Sequence, residues 1–333
     1  MAKIEYTHRG KYDSRVLQIG IKNKKFATPA YFPAVSSVAI RLQLESLIQT
    51  CTNNNYPRLL VSAYDIFNNR KQQKSIISTL KTYSKNNFLF LDSGTFESYW
   101  LNDKHWNYNQ YTKIIKKISA DFYTSFDEIP SPDSSIDEIF PKVSNFAKKS
   151  SKLDPTSSCL TVVHGNSPSQ LIKVIKKLAQ KHREYLPMIS IPERDCGKTL
   201  ETKILTIKKI RGVLSKSNPT NLLHILGCGN PFSIVLFSFA GADSFDSVDW
   251  SRWIIDPKTL QFMDLNHLPL INCSCKICKR RKMDPITRAL LHNLLFYQMF
   301  LQKLRTNIME NHGLEILDGY LDRKIISKIV KCF

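Results

Sequence analysis

Residues 88–94, FLFLDSG, carry the pattern that decides the fold. Four apolar residues stand directly before an Asp-Ser-Gly sequence, which is typical of a short buried strand that ends at a carboxylate. The carboxylate is Asp92, and an isolated aspartate in that place is usually a turn former or the N-cap of the next helix. The alternative is that Asp92 does chemistry at the end of its strand.

Runs of the same kind recur along the chain, with amphipathic stretches such as 169–182, SQLIKVIKKLAQKH, between them. Eight strands that alternate with helices predict an α/β protein and favour a (β/α)8 TIM barrel. A doubly wound open sheet is the alternative, because alternation alone does not show that the sheet closes. The predicted strands are 26–35, 58–66, 88–94, 121–129, 159–165, 185–192, 221–229 and 242–248.

Polar side chains stand at or near the C-terminal ends of four predicted strands: Asp92, Asp127, His164 and Asp246. In a barrel these ends meet at one mouth, where catalytic side chains come from several strands. One aspartate after a strand is ordinary. Three aspartates on three strands indicate a catalytic site.

The charge of the chain indicates a polyanionic partner. Its 48 lysine and arginine residues exceed its 28 acidic residues, for a formal net charge of +20, and basic side chains gain affinity for phosphates by releasing counterions. Ordinary solvated lysine faces are the alternative. The N-terminus lacks a signal-peptide pattern and no apolar run reaches membrane-spanning length, so we expect a cytoplasmic protein with no membrane partner.

The cysteines indicate a metal site. In a reducing cytoplasm clustered cysteines bind metal more often than they form disulfides. Three of the eight cysteines lie within six residues, in NCSCKICKRRK: Cys273, Cys275 and Cys278. Three thiolates on a tight loop can occupy three corners of a tetrahedral zinc, and we predict His292 as the fourth ligand, in preference to His267 and His312. A Cys3His set leaves no open position, so the zinc is predicted to be structural; reduced cysteines without a metal are the alternative.

The pattern of alternating strands stops after the eighth strand. Residues 250–284 are predicted to form a loop-rich insertion, and 284–311 a long helix with Pro285 in its first turn. We therefore expect two parts: a barrel core over 1–249, and a zinc-binding subdomain with C-terminal helices that complete the barrel over 250–333.

These features, in this order, resemble the tRNA-guanine transglycosylase family over about 26–305. They are similar to that family's Asp-Ser-Gly-Gly-Phe-Gln motif, its base-recognition aspartate, its Gly-rich turn, its nucleophile motif and its zinc site. Each motif is weak alone, and the ordered set with the cysteines is specific. The motifs are DSGTF at 92–96, FDEIPSPD at 126–133, HILGCGNP at 224–231, GADSFDSV at 241–248, and CSCKIC followed by HNLLFYQ at 292–298.

The resemblance implies a pentosyltransferase that exchanges guanine in a nucleic acid for a 7-deazaguanine on an intact sugar. By that resemblance Asp246 attacks C1′ and forms a glycosyl-aspartate ester, as carboxylates do in retaining glycosidases. Asp92 serves as general acid for the departing guanine and as general base for the incoming base. Asp127 accepts hydrogen bonds from the N–H groups of the guanine edge.

The same resemblance implies the remaining contacts. Other base-binding residues are expected to be Ser93, Glu97, His164 and Gly227. A basic rim would hold the phosphates beside an extruded base. The residues expected there are Arg252, Lys279, Arg280 and Arg281.

Several departures from the family pattern fall on parts that contact the base or tRNA. Glu97 replaces a glutamine, which we expect to turn a donor–acceptor contact into an acceptor-only one, and His164 also replaces a glutamine. SIPERD at 190–195 lacks a Gly-Gly-Leu segment, and DWSRW at 249–253 offers one arginine where the family has two. We therefore expect DNA to be favoured over tRNA, with 7-cyano-7-deazaguanine as the incoming base; a tRNA enzyme is the alternative.

Two other classes stay open. A non-catalytic partner subunit would keep the barrel and the zinc site but lose the catalytic aspartates, whereas Asp92 and Asp246 are both present. An unrelated barrel hydrolase with a catalytic metal would need an open ligand set. From the resemblance we also expect a homodimer, and helper proteins that open or scan a duplex are a further expected class of partner.

Overall fold

The computed structural model describes residues 2–39 and 42–333 of the chain. The strands are β1 Lys3–Arg9, β2 Arg15–Ile21, β3 Lys24–Ala27, β4 Ala30–Val35, β5 Arg58–Ser62, β6 Phe88–Asp92, β7 Phe122–Thr124, β8 Ser158–Val162, β9 Met188–Pro192, β10 Leu222–Leu226, β11 Ser244–Ser247, β12 Trp253–Ile255 and β13 Phe262–Asp264. The helices are α1 Leu44–Asn53, α2 Ala63–Asn68, α3 Gln73–Tyr83, α4 Thr95–Trp100, α5 Tyr108–Lys117, α6 Ile136–Ser150, α7 Pro168–Lys181, α8 Leu200–Ser217, α9 Pro231–Phe239, α10 Asp249–Arg252, α11 Pro285–Met309 and α12 Arg323–Val330. None of the described helices has the length and apolar character that crossing a membrane requires.

Strands β4 to β11 form a closed parallel barrel in which each strand pairs with the next and β11 pairs back to β4. Each of the eight predicted runs overlaps one of these strands, so the (β/α)8 barrel is confirmed and the open sheet is wrong. The strands are nearly continuous apolar runs because helices cover their outer faces. In β6, for example, all four apolar residues before Asp92 are buried.

The N-terminal end of the barrel is filled by an antiparallel sheet, β1-β2-β3, which lies outside the predicted strands except for Phe26 and Ala27. Ile19 and Phe26 from this sheet belong to the cluster of apolar side chains inside the barrel. The ring of Phe26 lies 4.7 Å from that of Phe88 and 6.0 Å from that of Phe122, which are the first residues of β6 and β7. With this end filled, the C-terminal ends of the strands form the open mouth.

The segment after the barrel packs back onto it. Helix α10, the antiparallel β12–β13 hairpin and helix α11 follow β11. Asp284 caps α11 by accepting a hydrogen bond from the Thr287 N–H at 2.8 Å, with Pro285 in the first turn as predicted. Tyr297 of α11 stacks on Tyr31 of β4 with ring centroids 3.9 Å apart, so this helix lies against the barrel. The domain boundary at residue 249 stays a prediction.

A buried ion cluster holds the start of β11. Asp243 accepts hydrogen bonds from Arg15 Nε and Nη2 and from Arg211 Nη2, each at 2.7 Å. The Leu223 N–H donates to the same carboxylate at 2.7 Å. Burial opposes ionisation of Asp243, but the two arginines hold its pKa below the usual range. The buried charges are therefore paired, and they join β2, α8 and β11.

Candidate active site

A cavity of about 370 Å³ lies at the C-terminal ends of the barrel strands, within the volume range of ligand pockets. Lys279, Arg280 and Arg281 do not line it; they are exposed on the loop that carries the clustered cysteines. The structure thus brings the other predicted catalytic, base-binding and rim residues together and leaves this basic run outside. The cavity is lined by Asp92, Ser93, Glu97, Asp127, His164, Gly227, Asp246 and Arg252, among others.

Asp246 lies on β11 and is buried. Its Oδ1 is 3.0 Å from His224 Nε2 and accepts a hydrogen bond from the Gly227 N–H at 3.3 Å. Gly227 has a φ of 77°, in the left-handed region that favours glycine, and this turn after β10 directs its N–H toward the carboxylate. Both contacts are made to Oδ1, so neither of them engages Oδ2.

His224 was not among the predicted site residues. It is fully buried on β10, with Nδ1 2.8 Å from the Ser244 hydroxyl and Nε2 facing Asp246. A hydroxyl at one ring nitrogen and a carboxylate at the other fix the orientation of the ring. The alternation of side chains along β10 could have indicated its position. His224 lies two residues after Leu222, which faces the barrel interior, and two residues before Leu226, which lines the cavity.

Asp92 ends β6 and is half-buried. Its Oδ2 accepts a hydrogen bond from the Gly94 N–H at 3.2 Å, and its Oδ1 accepts one from the Thr124 hydroxyl at 3.3 Å. Burial, and then the negative charges of Asp127 and Asp246, raise the pKa of Asp92 from 3.8 to about 7. A carboxyl group with that pKa can donate or accept a proton near neutral pH.

Gly94 explains why this strand ends in Asp-Ser-Gly. It has a φ of 81° and immediately precedes α4. A Cβ at this position would lie 2.3 Å from Tyr64 Cβ and 2.6 Å from Tyr64 N, on α2. Only glycine therefore lets α4 begin this close to α2. Helix α4 in turn brings Phe96 and Glu97 to the side of the cavity.

Asp127 is held between a hydroxyl and an imidazole. Ser93 Oγ donates to its Oδ1 at 2.5 Å, and His164 Nε2 lies 2.8 Å from its Oδ2. His164 Nδ1 lies 3.0 Å from Oδ2 of Asp195, a residue that was not predicted to belong to the site. Burial lowers the pKa of His164, but hydrogen bonds to Asp127 and Asp195 outweigh it and raise the pKa to about 9. At neutral pH His164 is therefore an imidazolium that donates to two carboxylates.

Glu97 is a buried acid on the wall of the cavity. Among the residues that the structure describes, its Oε2 has no hydrogen-bond partner. Burial, followed by the negative charges of Asp65 and Asp92, raises the pKa of Glu97 well above its usual range. A neutral carboxylic acid has one O–H donor and retains acceptor capacity. Burial therefore favours the neutral form of Glu97. This form offers one donor and one acceptor, as a glutamine does, and is not the acceptor-only group that the sequence predicts.

The cavity also has basic residues on its wall. Arg194, Lys203 and Arg252 contribute to the lining. Lys203 pairs with Glu193, with Nζ 2.9 Å from Oε1. Arg252 ends α10, the short helix that follows β11. Cations in this position suit phosphate groups next to a base in the cavity.

The four predicted metal ligands come together beside α11. One ligand atom from each of Cys273, Cys275, Cys278 and His292 lies within 4.8 Å of all the others. His292 Nδ1 is 3.3 Å from Cys278 Sγ and 3.6 Å from Cys275 Sγ. These separations are close to the edge lengths of a tetrahedron with Zn–S bonds of about 2.3 Å.

The second ring nitrogen of His292 also fits a metal site. Its Nε2–H donates to the Ile255 carbonyl oxygen at 2.8 Å, which leaves the lone pair of Nδ1 for a metal. His267 and His312, the less favoured candidates, do not belong to this cluster, and His312 lies beside Glu315. The residues present therefore fit a Cys3His metal site with no ligand position left for water.

Known proteins are similar to this chain over most of its length. A family model described as queuine tRNA-ribosyltransferase matches residues 11–324. The chain is 21% identical to a tRNA-guanine(15) transglycosylase of Methanopyrus kandleri, over 92% of this chain and 69% of that protein. It is also 21% identical to a tRNA-guanine(15) transglycosylase of Sulfolobus acidocaldarius, over 93% of this chain and 64% of that protein.

A bacterial protein shows a similar degree of likeness. The chain is 22% identical to a queuine tRNA-ribosyltransferase of Francisella tularensis, over 63% of each chain. With coverage of 69%, 64% and 63%, the chain spans about two thirds of the length of these three relatives.

Proposed function

The chain belongs to the queuine tRNA-ribosyltransferase family, and from that premise we propose that it is a guanine transglycosylase, a pentosyltransferase that replaces guanine in a nucleic acid by a 7-deazaguanine. In this proposal Asp246 is the nucleophile and Asp92 is the general acid and base. One observation carries it: both side chains line the same cavity. The raised pKa of Asp92, about 7, suits the second role.

The first step breaks the bond between C1′ of the sugar and N9 of guanine. An oxygen of Asp246 attacks C1′, and the electron pair of the glycosidic bond moves into the purine. The protonated Asp92 gives its proton to the departing guanine. A glycosyl-aspartate ester remains on Asp246, and Asp92 is left as a carboxylate.

The second step repeats these movements in reverse with another base. The ring nitrogen of the 7-deazaguanine attacks C1′, its proton passes to Asp92, and the ester oxygen leaves as the Asp246 carboxylate. Two displacements at one carbon preserve its configuration. The sugar–phosphate chain is not cut at any point.

Asp127 is suited to reading the guanine edge. Guanine and 7-deazaguanines present adjacent N–H donors on that edge, and a carboxylate can accept a hydrogen bond from each of them. The imidazolium of His164 and the hydroxyl of Ser93 hold Asp127 in place. Glu97, as a neutral acid on the same cavity wall, would add one donor and one acceptor for the base.

The metal in this proposal is a structural zinc. Cys273, Cys275, Cys278 and His292 would hold it, and it would tie the cysteine loop to α11. A bound zinc supplies folding energy there and no chemistry for the exchange.

We further propose DNA as the favoured substrate and 7-cyano-7-deazaguanine as the incoming base. The support comes from the sequence: by the resemblance, its departures at 190–195 and 249–253 fall on segments that contact the base and the tRNA, respectively. A tRNA substrate is the second candidate, because the relatives reported above are named as tRNA enzymes.

Incorporation of labelled guanine tests the reaction and the substrate together. The protein is incubated with duplex DNA, single-stranded DNA or tRNA, and the label retained in each nucleic acid is measured. Label in DNA supports the favoured substrate, and label in tRNA alone rejects it. Asp246→Asn should abolish incorporation, whereas Asp137→Asn, the same chemical change at an exposed aspartate on α6, should not.

The covalent intermediate can be detected directly. Without an incoming base, wild-type protein and nucleic acid should form an adduct that survives denaturing electrophoresis, and Asp246→Asn should form none. Unchanged modification in cells carrying Asp246→Ala would instead favour a non-catalytic partner subunit. Recovery of activity on metal addition to a chelated but fully folded protein would favour a catalytic metal. The homodimer and the helper proteins are tested by sedimentation and by co-purification.

A further inference from the structure

Helix α4 exposes an unusual set of aromatic side chains. Phe96 is 41% exposed, Tyr99 58% and Trp100 59%. Among the described residues, large exposed aromatic side chains occur at four positions, and three of them are on this helix; the fourth is Tyr6. Large aromatic rings are usually buried, so their concentration on one short helix needs an explanation.

The three rings form one surface. Residues three and four positions apart share a helix face, which places Phe96 beside Tyr99 and Trp100. The ring centroids of Phe96 and Trp100 are 6.0 Å apart, and those of Tyr99 and Trp100 are 5.9 Å apart. We call these three residues the α4 aromatic surface.

The α4 aromatic surface is continuous with the active-site cavity. Phe96 lines the cavity that holds Asp92 and Asp246. Tyr99 lines a second, more open cavity of about 670 Å³, whose lining includes Lys104. The two cavities share Asp127 in their walls. A nucleotide beside the one that enters the active site would therefore lie next to Tyr99, whose ring packs against that of Trp100.

Continuity with the active-site cavity and its arginines favours a nucleic acid over an apolar protein partner. Arg194 and Arg252 line the active-site cavity, whereas the cavity beside Tyr99 combines Lys104 with Asp103, Asp127 and Glu128. Aromatic side chains next to a cationic path are the pattern by which proteins bind single strands, since every base offers a face for stacking. The net charge of +20 has the matching sign.

We propose that Tyr99 and Trp100 form a stacking platform for an unpaired base that flanks the exchanged guanine in a single-stranded segment of nucleic acid. This inference rests on the proposed function, because the exchanged guanine must leave its stack to reach Asp246. Its neighbour then loses a stacking partner, and the α4 aromatic surface replaces it.

Fluorescence provides a direct test. Of the four tryptophans, Trp100 is the exposed one; Trp106, Trp250 and Trp253 are buried or half-buried. A single-stranded DNA oligonucleotide with one guanine should quench the protein fluorescence on binding. Trp100→Phe should lose most of this quenching but keep the Kd, measured by anisotropy of a labelled oligonucleotide, within about twofold, because a phenyl ring still stacks.

The double variant Tyr99→Ala/Trp100→Ala should weaken oligonucleotide binding by roughly 5- to 150-fold, the range that the loss of one stacked base gives. Met299→Ala is the matched control, because Met299 is 60% exposed on α11 and lies outside both cavities. Its Kd should equal that of the wild type.

An abasic site separates stacking from a general loss of affinity. Removing the base next to the guanine should weaken binding to the wild type but have little further effect on the double variant. Equal weakening of both proteins would overturn the platform. A double variant with unchanged oligonucleotide affinity but an altered oligomeric state would overturn it as well, by showing a protein interface. If the double variant does not fold, Trp100→Phe still decides, because equal quenching of this variant and of the wild type would overturn the platform.

The same proteins distinguish this inference from the proposed function. The double variant should incorporate labelled guanine with a KM for nucleic acid that is raised in step with its Kd, whereas the wild type keeps the lower KM. Wild-type protein that quenches and binds as described but incorporates no guanine would reject the transglycosylase and retain the platform. Incorporation by both proteins with identical Kd values would retain the enzyme and reject the platform.

Discussion

Raising the pH from 6 to 8 should slow the release of guanine about tenfold, because Asp92 must carry a proton to assist the departing base. With a pKa of about 7, the acid form makes up about 90% of the protein at pH 6 and about 10% at pH 8. An aspartate with the ordinary value of 3.8 would hold a proton in only about one molecule in 1,600 at pH 7. The surroundings of Asp92 therefore enlarge the acid population about 800-fold.

The assay is a single-turnover measurement of guanine release at saturating nucleic acid, because slow product release can hide the chemical step in kcat. The logarithm of the rate should fall with a slope of −1 above about pH 8. Asp127→Asn should move this alkaline limb to lower pH, since the charge of Asp127 contributes to the raised pKa of Asp92.

His164 is the competing explanation for an alkaline limb, because its pKa is about 9. His164→Gln serves as the control, and the limb near pH 7 should persist in it. A limb near pH 9 that disappears in His164→Gln would refute the assignment to Asp92. A rate that stays level from pH 6 to pH 8 would also refute it.

Three further predictions concern the surroundings of the cavity. His224→Gln should lower kcat about 10- to 100-fold with little change in the Kd for nucleic acid, because His224 orients the nucleophile without lining the cavity; steady-state kinetics showing an unchanged kcat would contradict this. Cys278→Ser should reduce bound zinc and the melting temperature together, measured by atomic absorption and circular dichroism, and full zinc content would count against the Cys3His site. Arg211→Met should reduce the free energy of unfolding by about 3 kcal/mol at pH 7, because Asp243 stays buried with one partner fewer. Since folding lowers the pKa of Asp243, its ion pairs contribute to the free energy of unfolding above the unfolded pKa of about 3.9, and this contribution is lost as the pH falls further. The urea unfolding curves of wild type and Arg211→Met should therefore converge in acid, and curves that stay apart would contradict the role of the Asp243 ion pairs.

The barrel could be predicted because its strands are buried on both faces, and such strands are continuous apolar runs whose ends are easy to see. Asp92 and Asp246 were visible for the same reason, as carboxylates that interrupt or end these runs. The metal ligands were visible because three of the four lie within one loop, where spacing along the chain limits the geometry.

The remaining features depend on contacts between distant segments. His224 lies inside an apolar strand, and only the pairing of β10 with β11 brings it to Asp246. Asp195 reaches His164 across two neighbouring strand ends. The protonation of Glu97 depends on its burial beside Asp65, which is 32 positions earlier in the chain. Conversely, the basic run of Lys279–Arg281 was conspicuous in the sequence, but nothing local indicates which way a charged loop faces.

The close contact between Gly94 and Tyr64 links proton transfer by Asp92 to the binding of nucleic acid by α4. An alanine at this position would have to push the start of α4 away from Tyr64, since its methyl carbon would stand 2.3 Å from Tyr64 Cβ. The same shift would break the hydrogen bond from the N–H of residue 94 to Asp92 and would move Phe96 away from the cavity. The addition of one carbon atom would then impair both proton transfer and nucleic-acid binding.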